Sequence, residues 1–160
     1  MRRWIPIASL LLQALVLSRA QEHSPAKSIP DLSLSVVGDP AGLNDYVATL
    51  RKRIFVAWLD HWPLEKPEPG RYILTLHINH SGYLDHYDGS PFVPAGELQV
   101  KAADMLTKPP DPARAPRVKQ AQTAALRAAL SVFEGLPPDP PDDYAHNQIV
   151  IKAAFVYGSH

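Results

Sequence analysis

The chain has 160 residues, room for one domain, with a formal charge of zero and no cysteine. The charge balance excludes a basic footprint for nucleic acid, and the missing thiol excludes disulfides, thiol nucleophiles, cysteine-ligated metal and a lipidated cysteine. Of the 17 prolines, 11 cluster in Pro63 to Pro69, Pro109 to Pro116 and Pro137 to Pro141, and mark stiff connectors, because proline fixes φ and donates no main-chain hydrogen bond.

Residues 1–20 read as a secretory signal peptide. Arg2 and Arg3 form the positive start, Trp4 to Leu17 a short apolar run, and Ser18-Arg19-Ala20 a small-residue cleavage pattern. The run is shorter than the roughly 20 residues of a membrane span; the alternative is a short retained anchor. Cleavage removes three of the 16 basic residues and none of the 16 acidic ones, leaving a mildly acidic mature chain.

Residues 21–42 form a leader. Within it Leu32, Leu34 and Val36 alternate with Ser33 and Ser35, the pattern of a short strand or of an ordered lead-in. From Leu43 to Trp62 the sequence predicts a helix. Asn44 is its expected N-cap, with Leu43 placed for a hydrophobic staple. Leu43, Tyr46, Val47, Leu50, Ile54, Ala57 and Trp58 follow helical spacing, Pro63 ends the run, and Arg51, Lys52 and Arg53 lie mostly on its solvated side. At that spacing Tyr46 and Trp58 are core residues, and Trp62 is the better surface candidate.

After a turn-rich connector at Lys66 to Gly70, Arg71 to Asn79 alternates as a half-buried strand: Tyr72, Leu74, Leu76 and Ile78 on one face, Ile73, Thr75, His77 and Asn79 on the other. His80-Ser81-Gly82 fits a three-residue hairpin loop with Gly82 left-handed. The chain returns from Tyr83 to about Asp88. That loop sets Ile78 opposite Leu84 in the core and His77 opposite Asp85 outside it. Residues 89–120 read as an insertion. In it Glu97 to Leu106 fits a short helix or more sheet, and Lys108 to Pro116 a loop. Ala121 to Glu134 is a second helix with Ala125, Leu126, Ala129, Leu130 and Phe133 on one face, stopped at Gly135. Leu136 to Asp143 is extended by its prolines. Gln148 to Tyr157 alternates as the clearest strand of the chain.

The expected fold is α+β: two helices packed on one face of a three-stranded antiparallel sheet, in the order helix, strand, strand, helix, strand. Its other face is open, and the final strand is an edge with unpaired main-chain groups.

Seven histidines raise the question of metal. His77, His80 and His86 fall on one hairpin, but His77 and His80, three apart on a strand, point to opposite faces. No metalloprotease helix motif, calcium loop or cysteine pair accompanies them, so solvated histidines and no metal or cofactor are expected. Catalytic signatures are also absent: no nucleophile elbow, phosphate loop or dinucleotide fingerprint. Asn79-His80-Ser81 is formally a glycosylation sequon that the turn itself accounts for. The expectation is a non-enzyme.

Several segments together resemble the C-terminal domain of the TonB and TolA family of bacterial energy-transducing proteins. Tyr46, Leu50, Ile54 and Trp58 resemble its first helix, and Pro63 with Gly70-Arg71 the segment that follows. Ser81-Gly82-Tyr83-Leu84 resembles its hairpin, and Ala124-Ala125-Leu126-Arg127-Ala128-Ala129 its second helix. Leu136-Pro137-Pro138-Asp139-Pro140 and Phe155-Val156-Tyr157 resemble its last connector and strand. The likeness spans residues 43–160, interrupted at about 89–120. It implies a periplasmic module whose last strand pairs with a short segment of an outer-membrane transporter or another envelope protein. The partner-binding residues implied are Gln148, Val150, Lys152, Ala154, Val156 and Tyr157. Alternatives are a membrane-anchored energy transducer that keeps residues 1–20, and a periplasmic metal-dependent enzyme. The long apolar final strand also allows an edge-to-edge dimer.

Overall fold

The computed structural model describes residues 30–63, 66–95, 112–142, 144 and 148–158. The expected signal segment and the expected element at Glu97 to Leu106 lie outside them. The described elements run β1 (Asp31–Val36), α1 (Asn44–Asp60), β2 (Gly70–Asn79), β3 (Leu84–Gly89), β4 (Val93–Pro94), α2 (Arg114–Phe133) and β5 (Gln148–Tyr157).

The α+β class and the two helices agree with the sequence reading. The sheet does not: it has five strands, not three, in the order β1-β5-β2-β3, with β4 also paired to β2. Every pairing is antiparallel. The added strands come from the leader, where β1 pairs with β5, and from residues after the hairpin, where Arg71 pairs with Val93.

One apolar face of the sheet meets both helices. From β2 come Tyr72, Leu74, Leu76 and Ile78, and from β5 Ile149, Ile151, Ala153, Phe155 and Tyr157. Register joins them across the ladder: Tyr72 faces Phe155, Leu74 faces Ala153, Leu76 faces Ile151 and Ile78 faces Ile149. Helix α1 lowers Tyr46, Leu50, Ile54 and Trp58 onto that face, the four-residue spacing of a single stripe. Helix α2 contributes small residues, Ala121, Ala124, Ala125, Ala128 and Ala129, and ends on Phe133. Alanines bring its backbone close to α1, and they carry the highest helix propensity.

Two boundaries moved. Asn44 is the first residue of α1, not its cap; Leu43 holds the cap position with no side-chain cap bond and is fully buried. Helix α2 begins at Arg114, ahead of the expected Ala121, and so takes in Pro116. The first helical turn tolerates proline because its N–H has no intrahelical partner there. Glu68, just before β2, ties this helix start down. Its carboxylate accepts from Arg117 Nε and Nη2 at 3.0 and 2.9 Å and pairs with Arg114 Nε at 3.2 Å.

Trp58 is fully buried at the centre of a cluster of aromatic rings. Its ring meets Phe155 and Tyr157 edge-on, with centroids 5.1 Å away in both cases. Trp58 Nε1 donates to the Tyr157 hydroxyl at 2.9 Å, and that hydroxyl donates to the Ala121 carbonyl. One phenol therefore joins α1, β5 and α2. Trp62, the expected surface tryptophan, is half-buried instead, 5.3 Å from Trp58 and 5.4 Å from Tyr157 by centroid.

Candidate functional site

Strand β5 carries the residues that the resemblance assigns to partner binding, and it is not an edge. Strand β1 occupies one flank and β2 the other. Lys152 lies between Ser35 and Thr75, Ala154 between Ser33 and Ile73, and Val156 between Asp31 and Arg71. Val150 faces His77 on β2, and its carbonyl accepts from Val37 N–H at 2.8 Å. Gln148 faces Asn79, and its amide reaches Asp85 at 3.4 Å. Tyr157 points the other way, fully buried beneath Trp58. The physical reason is in the strand itself. Between Ile149 and Tyr157 only Lys152 is polar, and an apolar run on both alternating faces suits an interior strand.

Among the described residues the edges of the sheet are β1 and β3, and β1 is the one beside β5. Antiparallel pairs alternate between residues that bond to the neighbour and residues whose main-chain groups turn away. The Val37 to Val150 bond fixes the phase: Ser35, Ser33 and Asp31 bond toward β5, and Leu32, Leu34 and Val36 turn their N–H and C=O outward. Arg51 Nε donates to the outward Leu32 carbonyl at 2.6 Å, and its guanidinium lies 3.8 Å from Asp31. The outward groups of Leu34 and Val36 have no partner among the described residues. Arg53, likewise expected to be merely solvated, donates to the Leu136 carbonyl at 2.8 Å.

The hairpin is the second region of interest. Its loop follows the sequence reading: Asn79 N–H donates to the Tyr83 carbonyl at 2.9 Å, and Gly82 has φ near 82°. A Cβ at Gly82 would also lie 2.8 Å from the Pro138 carbonyl, so space and backbone both require glycine. The Asn79 side chain sustains the turn, accepting from Ser81 N–H and Tyr83 N–H at 3.0 Å each. Beyond the loop, Ile78 faces Leu84 as expected. His77 does not face Asp85: a β-bulge between His77 and Ile78 sets it opposite His86. Asp85 is the extra residue, held by Asn79 Nδ2 at 3.1 Å and by Gln148. A bulge adds one residue to one strand and shifts all pairing beyond it.

The shift gathers three polar side chains. His77 and His86 stack with centroids 3.8 Å apart and planes 16° from parallel. His77 Nε2 is 3.4 Å from Asp88 Oδ2, while His77 Nδ1 is buried without a hydrogen-bond partner. One ligand atom from each of His77, His86 and Asp88 lies within 4.8 Å of the others. Sequence spacing could not show this group, because the bulge leaves no local mark.

No family model, curated protein or solved structure matches the chain.

Proposed function

We propose that the chain is a periplasmic protein-binding module of the TonB C-terminal type, capturing an extended segment of an envelope protein or outer-membrane transporter by β-strand addition. The observation that carries this reading is the outward main-chain face of β1 at Leu34 and Val36. A segment laid along it gains main-chain bonds there, and side-chain contacts on alternate residues give selectivity. The docking edge is thus β1, and the β5 residues named from the resemblance act from one strand further in. The opposite edge suits docking less. Strand β3, no longer than β1, is bulged and carries Asp85, His86 and Asp88, the devices that blunt an edge. Arg51, which reaches β1 at the Leu32 carbonyl and stays half exposed, favours a segment with an acidic side chain there.

The test exploits the phase of the ladder. Leu34 N–H faces outward, so Leu34→Pro removes a docking donor without removing a bond to β5; proline on that side of an edge strand is tolerated. The mature protein, with a photo-crosslinker at Ser35, is mixed with cell envelopes. Capture of an envelope protein that is lost in Leu34→Pro, with an unchanged circular dichroism spectrum, is the expected result. Equal capture by the proline variant overturns the proposal.

A further inference from the structure

We propose that His77, His86 and Asp88 form a binding site for one divalent transition-metal ion on the hairpin face that neither described helix covers. The site lies on the β3 side of the sheet, across β5 and β2 from β1, and does not depend on strand addition. Two imidazoles and a carboxylate are the donor set of zinc and its neighbours, not of calcium or magnesium, which take oxygen ligands.

Each side chain is placed by the ladder. Thr75 pairs with Asp88, and His77 with His86, so the three donors come from alternate rungs, either side of Leu76 and Tyr87, and share one face. Without the bulge, Asp85 and not His86 would stand opposite His77. His77 is the fixed member, its side chain 19% exposed, whereas the Asp88 side chain is 73% exposed. In a neutral imidazole one nitrogen donates and the other accepts. Nε2 is the nitrogen beside the Asp88 carboxylate, so an ion shared with Asp88 would bind Nε2, with the ring proton then on Nδ1.

The donor atoms lie within 4.8 Å of one another, and a tetrahedral zinc with bonds of about 2.0–2.1 Å needs them somewhat closer. The stacked rings must also splay, because an ion lies in the plane of each imidazole it binds. Both adjustments fall to the exposed His86 and Asp88. Val150 flanks His77 on the β5 side, and the Lys152 cation is one strand further from Asp88, beyond Thr75. Three protein ligands leave the fourth position for water or for a donor from a partner.

Tag-free, chelator-stripped full-length protein titrated with zinc in a calorimeter tests the site, with cobalt absorption as a second readout. One ion per chain is expected. His86→Gln and Asp88→Asn, both at exposed positions, should each weaken binding roughly ten-fold or more, while His80→Gln, on the loop, binds as the wild type does. Circular dichroism shows that each variant is folded. A wild-type chain that takes up no zinc overturns the site, as does either ligand variant binding zinc with wild-type affinity.

Discussion

On the covered face of β2, Tyr72, Leu74, Leu76 and Ile78 lie under two helices and are buried; one residue away, Ile73, Thr75, His77 and Asn79 are only half-buried. The covered face is held by packing: its side chains pair with those of β5 and join both helices in one buried cluster. On the other face neither described helix packs, and the bulge exchanges the partner of His77 while Ile78 keeps its place opposite Leu84. Selection for packing acts on the first face. The second is free to carry chemistry, and the histidine cluster is found there.

Trp58→Ala should break the covered face most severely. The side chain is fully buried among Phe55, Trp62, Phe155 and Tyr157. Removing such a ring costs about 3–5 kcal/mol from transfer and cavity terms, a large part of the stability of a small domain. Urea denaturation should show the midpoint falling sharply; a loss under about 1 kcal/mol would mean that the aromatic cluster is not the centre of the core.

Two buried phenols sharpen the comparison within that face. Tyr157 accepts from Trp58 and donates to Ala121, whereas the Tyr46 hydroxyl is buried with no partner. Tyr157→Phe leaves a buried indole N–H unpaired and should cost about 1–3 kcal/mol. Tyr46→Phe removes an unsatisfied group and should be neutral or stabilising. Equal losses in the two variants would refute the assignment. Burial pushes the Tyr46 phenol up to about 12, with the Asp139 carboxylate adding to the rise. Burial also raises Tyr157, against the opposing hydrogen bond from Trp58. Both folded values exceed the unfolded value of 10.0. Their contribution is therefore complete below pH 10 and declines as pH climbs through the folded values, because only the unfolded chain releases the proton readily. Alkaline unfolding should begin above pH 10 and shift to higher pH in Tyr46→Phe.

Legibility in the sequence divides along the same line. The stripe Tyr46, Leu50, Ile54, Trp58 and the alternation of Tyr72 to Ile78 are periodic, and periodicity is set by which side faces the core. Gly82 was legible because a left-handed loop position is a local demand. The place of β1 beside β5 was not, since strand order is a property of the whole sheet; alternation at Leu32, Leu34 and Val36 shows a strand without saying where it docks. The run from Ile149 to Tyr157 did hold the signal of an interior strand in Val150, Ala154 and Val156, apolar residues on the face expected to be open. The cluster at His77, His86 and Asp88 had no such signal, because alternation counted from the loop reaches Asp85.

The smallest expected effect falls on the face that neither described helix covers. His86→Thr trades an exposed side chain for a β-branched residue suited to a strand. It touches none of the buried residues, and the ladder bond to His77 is made by main chain. Metal-free stability should change by no more than about 0.5 kcal/mol. Added zinc should raise the melting temperature of the wild type, through its affinity for the folded state, and not that of the variant. A metal-free loss of more than about 1 kcal/mol would show that the stacked imidazoles hold the hairpin together by themselves. The two faces would then differ in chemistry but not in structural weight, and the division drawn between them would fail where it is most exposed to test.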